Sequence, residues 1–303
     1  MEKTNSPLLL PYQIKRPHQW QEEFNNTHPL DIEIGFGNGE FLARLAGADP
    51  KRNFIGIEQD WQRINKAIRR ISRDQLTNVR LLAVDAFVAF QRLFNPKTVD
   101  QVYCLFPCPW PKKKHIKHRL FSNEFLKLVN SRLIDQGSLK IVTDFLPYRD
   151  WILEQESQSG FRVHSKVVPV QYDTKYERKW ADLGQRDFFE LQLIKEKHIS
   201  IPVQEDMTIK EYLVETFNPE RFHFLEQHSA ITVVFKDLFF DSDRDHAMVH
   251  LIVSEGHLLQ HVWVTIAKFD KHWVIRPTEG HPFIPTLGVA KALDLVKESC
   301  LRI

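Results

Sequence analysis

Between Leu30 and Lys197 the chain alternates two kinds of hydrophobic pattern. Short, near-continuous apolar runs predict strands at Asp31–Gly35, Asn53–Glu58, Val79–Asp85, Gln101–Phe106, Ser138–Asp144, Phe161–Val167 and Phe188–Ile194. Between them, apolar residues recurring every three or four positions predict amphipathic helices over Asn38–Ala46, Trp61–Gln75, Ser122–Asp135 and Pro147–Ser157. Strands that are apolar on both faces need cover on both faces, so this half predicts an α/β domain with a mostly parallel, seven-stranded sheet. In such sheets ligands bind outside the carboxyl ends of the strands. From residue 201 the pattern changes. Ala230–Phe235, Ala247–Ser254, Leu259–Phe269 and Trp273–Arg276 are β-rich, with breaks at Glu255-Gly256 and Asp270-Lys271, and Thr286–Ser299 has a helical period. That predicts an antiparallel meander plus a terminal helix, a separate α+β module.

The expected organisation has three parts. Residues 1–17 lack a period and contain Pro7, Pro11 and Pro17, which predicts a mobile arm; residues 18–199 form the α/β domain; residues 200–303 form a C-terminal extension whose role the sequence does not reveal. A length of 303 residues agrees, at roughly 100–200 residues per domain. No apolar run approaches the ~20 residues of a membrane span and no charged-then-apolar leader opens the chain, so a cytoplasmic location and no membrane partner are expected. Cys104, Cys108 and Cys300 make no disulfide framework and no tetrahedral zinc set, so no metal is expected. The formal net charge of +2 hides an asymmetry: residues 1–200 carry 31 basic and 24 acidic side chains, residues 201–303 carry 10 and 15. The first two hundred residues are the part suited to a polyanion.

Two stretches carry candidate chemistry. In Asp31-Ile32-Glu33-Ile34-Gly35-Phe36-Gly37-Asn38-Gly39-Glu40, three glycines at alternate positions follow a predicted strand and allow a ligand close to the backbone. A dinucleotide loop has its third glycine one position later, where this chain has Glu40. Glu33 and Glu40 also disfavour a pyrophosphate there. S-adenosylmethionine (SAM) has no phosphate and carries a sulfonium and an ammonium, which carboxylates favour. Glu58 ends the next strand, 19 residues past Gly39, where an acid can accept from ribose hydroxyls. Asp85-Ala86 ends the third strand, where a carboxylate can accept from an adenine amino group. The competing reading is a tight turn with incidental acids. The second stretch, Phe106 to Arg119, puts five Lys/Arg and two His into residues 112–119 beside a proline-stiffened turn. It reads as a fixed cationic surface for phosphates, against the alternative of a solvated basic loop. Trp110 reads as packing for that loop, and Arg63, Arg69 and Arg70 as solvated. The pairs His246/His250 and His257/His261 have a helical spacing but fall in predicted strands, so no zinc site is expected from them.

Taken together these residues resemble the bacterial tRNA (guanine-N7-)-methyltransferase family. The match covers about residues 30–195, in order: Glu33-Ile34-Gly35-Phe36-Gly37-Asn38-Gly39, Phe54-Ile55-Gly56-Ile57-Glu58, Asp85-Ala86, Phe106-Pro107-Cys108-Pro109-Trp110-Pro111-Lys112-Lys113, His115, Thr143-Asp144 with Tyr148, and Thr174-Lys175-Tyr176-Glu177. The resemblance implies a Rossmann-like class I SAM-dependent methyltransferase domain, with SAM as methyl donor and tRNA as substrate. It implies cofactor contacts from Glu33, Gly35, Gly37, Gly39, Glu58, Asp85, Ala86 and the position of Cys108. It implies substrate contacts from Lys112, His115, His118, Arg119, Asp144, Thr174, Lys175, Tyr176 and Glu177, with Asp144 and the position of Cys108 as catalytic. The chain departs from the family twice. Cys108 stands where the family has the aspartate of Phe-Pro-Asp-Pro-Trp, and His118 replaces an arginine, with Arg119 directly after it. The 200–303 extension is absent from most members.

Guanine N7 already presents a lone pair, so no base need deprotonate it, and catalysis is mainly the positioning of N7 against the sulfonium methyl. Carboxylates such as Asp144 and Glu177 can accept from the guanine N1–H and N2–H₂ edge, which excludes adenine. The expected function is methyl transfer to N7 of a variable-loop guanosine in tRNA. The alternatives are a weak or silent tRNA-binding paralogue, and an RNA cytosine-C5 methyltransferase in which the Cys108 thiolate attacks the base. Bland readings also stand for Asp144, as a helix cap, and for Thr174 to Glu177, as a capping box. A homodimer through the C-terminal domain is the remaining partner expectation.

Overall fold

The computed structural model describes residues 6–301, and the chain divides into two compact units, Met1–Gln204 and Glu205–Ile303. The strands of the first are β1 (Leu8–Leu9), β2 (Leu30–Ile34), β3 (Asn53–Glu58), β4 (Val79–Ala83), β5 (Val99–Leu105), β6 (Leu133–Thr143), β7 (Phe161–Pro169) and β8 (Asp187–Lys195). They lie in the order β1-β4-β3-β2-β5-β6-β8-β7. Every pairing is parallel except those of β8, which runs against both its neighbours. The helices are α1 (Trp20–Phe24), α2 (Glu40–Ala48), α3 (Trp61–Arg73), α4 (Ala86–Arg92), α5 (Asn123–Arg132), α6 (Leu146–Gln155) and α7 (Lys175–Asp182). The mostly parallel sheet is as the sequence predicts, with one strand more than the seven expected. The extra strand is β1. Of residues 1–17, expected as a mobile arm, the first five lie outside the described residues. The next part is anchored: Leu8 and Leu9 pair with Leu81 and Leu82, and the Pro7 carbonyl accepts from the Leu81 N–H at 2.8 Å.

The sheet is apolar on both sides because both sides are covered. Ile32, Ile55, Val102, Leu139 and Ile141 are fully buried, and Phe87 and Phe90 of α4 and Phe125 and Val129 of α5 pack with them. Ile64, Ala67 and Ile71 of α3 join Leu42 of α2 in a second cluster. Each of these Val, Leu, Ile and Phe side chains contributes roughly 1.5–3 kcal/mol when fully buried. The start of α3 is fixed locally by Asp60, whose carboxylate accepts from the Gln62 and Arg63 N–H groups at 2.8 and 3.2 Å. The chain runs from β2 through β3 to β4 on one side and then returns to the other side of β2 for β5 and β6, so the strand order reverses between β2 and β5. The connections leaving β2 and β5 therefore part, opening a crevice at the carboxyl ends of these strands.

The second unit has strands β9 (Tyr212–Val214), β10 (Gln227–His228), β11 (Ile231–Asp241), β12 (His246–Glu255), β13 (Leu258–Phe269) and β14 (His272–Pro277), followed by α8 (Leu287–Leu301). Its sheet, in the order β10-β11-β12-β13-β14-β9, is antiparallel throughout. Val289, Ala292, Leu293 and Val296, spaced at three and four, bury one face of α8 among Val233, Val249, Leu251 and Val264. His246, His250 and His261 lie on strands, where His250 bonds across to His261 (3.0 Å) and Asp237 (3.1 Å), and His257 lies in the turn between β12 and β13. Among the described residues no helix is long and apolar enough to cross a membrane.

Candidate active site

The glycine loop joins β2 to α2 at the crevice. Gly35, Gly37 and Gly39 all have positive φ, at +70°, +56° and +72°, a conformation that side chains strain. Gly39 caps α2 and has no room either, since a Cβ there would sit 2.8 Å from the Ala67 Cβ. The loop is pinned to the next strand by two hydrogen bonds. The Gly35 N–H donates to the Ile57 carbonyl (2.8 Å) and the Gly37 N–H to Glu58 Oε2 (3.2 Å).

A small solvent-open pocket lies between Glu33, Gly35 and Gly37 on one side and Thr174, Lys175 and Tyr176 on the other. Glu33 is 4% exposed, and its Oε2 has no hydrogen-bond partner. Burial pushes its carboxyl up to about 8, against the opposing pull of a hydrogen bond from the Leu42 backbone and of the Arg44 charge. Glu58 ends β3 at the same place. Its Oε1 accepts from the Gln59 and Asp60 N–H groups (2.9 and 3.2 Å), while Oε2 takes Gly37 and faces Arg63 Nη1 at 3.5 Å. Asp85 divides its work: Oδ1 caps α4 by accepting from Phe87 and Val88, and Oδ2 accepts from Gln59 Nε2 at 3.1 Å. Ala86, the first residue of α4, is buried.

The other wall is the strap around α7. Thr174 Oγ1 accepts from the Glu177 N–H (3.1 Å), which is half of a capping box. The reciprocal half is missing. Glu177 Oε1 instead accepts from the Gln171 and Tyr172 N–H groups (2.8 and 3.0 Å), and the residue is fully buried with Oε2 unpaired. Glu177 thus first bolts the strap together, a role the sequence reading did not give it. The strap is tied to the glycine-loop side by Arg178, which bonds Glu40 at 2.6 Å, and by Arg63, whose Nη2 donates to Tyr176 OH at 3.0 Å. Arg70 also reaches Glu40, at 3.5 Å. Arg63 and Arg70 are therefore not the solvated side chains the sequence suggests. The available signal for Arg63 was its place in the first turn of the helix that directly follows the strand-end acid. At its far end the strap is held by Gln185, which donates to the Asp144 carbonyl at 3.0 Å.

Asp144 follows β6 half-buried, and desolvation raises its carboxyl above the ordinary range. It does not cap α6: Phe145 is the N-cap, without a side-chain bond, and the Phe145 N–H donates to Thr143 Oγ1. After β5 the chain turns through Phe106 and Trp110, both at positive φ, into a 3₁₀ turn over Lys113–His118. The indole of Trp110 packs against the rings of His115 (5.6 Å) and His118 (5.3 Å). Lys112, Lys113, Lys114 and Lys117 stay exposed, as does the free thiol of Cys108. Arg119 corrects the sequence reading. It is 7% exposed, donates from Nε to the Pro109 carbonyl at 2.9 Å, and lies over the rings of Tyr148 and Trp151. It braces the loop from beneath, and the exposed basic side chains are the lysines and His118.

A family model described as "Putative methyltransferase" matches residues 27–190, more than half of the chain. The tRNA (guanine-N(7)-)-methyltransferase of Chlorobium phaeobacteroides is 43% identical over 181 residues, 59% of this chain and 89% of that protein. That of Thermotoga maritima is 32% identical over 274 residues, 87% of each chain, and that of Aquifex aeolicus is 29% identical over 278 residues, 89% and 93%. The last two alignments cover more of this chain than its first unit holds, so these relatives share at least part of the second. With the class I topology, the glycine loop and the strand-end acids in place, the chain belongs to the tRNA (guanine-N7-)-methyltransferase family of SAM-dependent enzymes.

Proposed function

We propose that this protein transfers the methyl group of SAM to N7 of a variable-loop guanosine in tRNA. The observation that carries the reading is the unpaired, buried Oε2 of Glu33 on the wall of a pocket whose opposite side is the Thr174–Tyr176 strap. The donor set fits the cofactor. Glu33 is placed for its cationic end, Glu58 for ribose hydroxyls and Asp85 for the adenine amino group, and the open backbone at Gly35 and Gly37 admits close approach. When bound, SAM supplies an electrophilic methyl on sulfur. The chain's own residues have the remaining work of positioning, because N7 needs no base. The exposed Lys112 with His115 and His118 grips the phosphate backbone, braced by Arg119. Thr174, Lys175 and Tyr176 border the guanosine, Asp144 accepts from its N1–H and N2–H₂ edge, and the buried Glu177 holds the strap with one oxygen left for the base. Carboxylates nearby then stabilise the cationic product.

Cys108 gives this site an uncharged thiol where the family carries a carboxylate. Losing one hydrogen bond to a charged group costs about 1.5–3 kcal/mol, or roughly 10- to 150-fold in rate, which slows turnover without abolishing it. The named relatives are N7-methyltransferases, and none supports the cytosine-C5 reading. A tRNA substrate supports a cytoplasmic location, and a homodimer through the second unit is the remaining proposal, checked by mass in solution. The functional test is transfer of labelled methyl from SAM into total tRNA followed by nucleoside mass spectrometry. N7-methylguanosine is expected; 5-methylcytidine, or no product with tRNA still bound, would overturn the proposal.

A further inference from the structure

One side chain touches both halves of the pocket. Arg63 Nη1 lies 3.5 Å from Glu58 Oε2, Nε lies 3.6 Å from Asp60 Oδ2, and Nη2 donates to Tyr176 OH at 3.0 Å, with the guanidinium 6.0 Å from the Tyr176 ring centroid. Of the four donors around the Glu58 carboxylate, Arg63 is the most distant; the three backbone N–H groups lie at 2.9–3.2 Å. We propose that Arg63 is a positioning residue that couples cofactor binding to the seating of the strap on guanosine. The inference rests on the functional reading above.

The physical argument is a competition for lone pairs. A carboxylate offers about four acceptor directions, and backbone donors fixed by the loop and by the start of α3 hold three of those at Glu58. A ribose hydroxyl that donates to Glu58 therefore takes the direction Arg63 occupies, since that contact is the weakest and belongs to the one mobile donor. The displaced guanidinium keeps its bonds to Tyr176 and Asp60, and being planar with fixed donors it swings as a unit. Its charge is then shared by Asp60 and the strap alone, where Tyr176 borders the guanosine. Without cofactor the same charge is divided among Glu58, Asp60 and Tyr176, and the strap is held less firmly. Cofactor binding thus prepares the tRNA side, and by reciprocity tRNA tightens the cofactor by the same factor.

The test measures tRNA affinity with and without saturating S-adenosylhomocysteine, which carries the ribose and ammonium but no methyl to transfer. Wild-type protein should bind tRNA about 5- to 20-fold more tightly with it, within the usual range for coupled sites. Arg63→Gln should bring that ratio to about 1 while binding S-adenosylhomocysteine at least as tightly as wild type, because the competing donor at Glu58 is gone. Tyr176→Phe should lower the ratio similarly, and the double variant should lower it no further than either single change. Arg63→Lys, a point charge without the fork, should restore only part of it. A wild-type ratio near 1, a full ratio in Arg63→Gln, or loss of S-adenosylhomocysteine binding in that variant each overturns the inference. Methyl incorporation by the same wild-type preparation separates the two claims: lost coupling with N7-methylguanosine formed sinks only the role of Arg63, whereas absence of that product sinks the functional reading.

Discussion

Glu33 gives the sharpest prediction because its unpaired buried carboxyl has opposite consequences for stability and for binding. Its folded value of about 8 stands above the ordinary 4.5. For an acid shifted upward, the folded state holds a proton that the unfolded state releases. The stabilising contribution is complete below about pH 4.5 and is lost as pH rises to about 8, at roughly 1.4 kcal/mol per unit. Glu33→Gln removes the ionisable group, so the variant should gain stability relative to wild type as pH rises, by on the order of 3–4 kcal/mol at pH 8 once about 1 kcal/mol is allowed for the altered Leu42 contact. Cofactor binding should behave inversely. Glu33 is ionised in about one molecule in a hundred at pH 6 and in about half at pH 8, while an α-amino group near 7.7–8.0 loses its charge above that. The product of the two fractions rises about 20-fold from pH 6 to pH 8 and then falls. Titration calorimetry with S-adenosylhomocysteine in two buffers of different ionisation enthalpy reads both the affinity and the proton released at pH 7. An affinity flat from pH 6 to pH 8 without proton release, or the same acid limb in Glu33→Gln, would refute the assignment of Glu33 to the ammonium.

Cys108→Asp restores the family's carboxylate and should raise methyl transfer about 10- to 100-fold; no gain in steady-state rate with tRNA binding intact counts against a role for that position. Lys112→Ala should weaken every tRNA to a similar degree and lower the slope of log affinity against log salt by about 0.7–1; an unchanged slope in filter binding would remove Lys112 from the phosphate contacts. Arg119→Ala loses the Pro109 hydrogen bond and two ring contacts, and should cost about 1–3 kcal/mol in urea unfolding. Full stability with weakened tRNA binding would instead return Arg119 to the substrate surface.

The layers of this fold were legible because their signals are local. Apolar runs marked β2, β3 and β5, and the three alternate glycines marked a place where the backbone takes positive φ between strand and helix. β1 was missed since two residues carry no period, and its pairing with Leu81 and Leu82 is decided wholly by the distant strand it joins. The same holds for long cationic side chains. Arg63 and Arg70 read as solvated and Arg119 as a substrate contact, yet one bridges Glu58 to Tyr176, one pairs with Glu40 and one lies under a loop over two aromatic rings. A flexible stem reaches whatever partner the tertiary fold brings near, and no spacing rule encodes that partner.

The acids divide along a related line. Glu58 and Asp85 spend part of their acceptor capacity on backbone N–H groups, which fixes each carboxylate at the end of its strand before any ligand arrives. Glu33 keeps one oxygen unsatisfied and raises its proton affinity, an arrangement that destabilises the fold at neutral pH and has no structural return. Such a group persists where a ligand completes it. Glu33 on the pocket wall, like Glu177 in the strap, keeps an unsatisfied buried oxygen, whereas Glu58 and Asp85 are satisfied. The charge of these carboxylates disfavours a pyrophosphate without reference to any relative, in agreement with Glu40 standing where a dinucleotide loop has its third glycine.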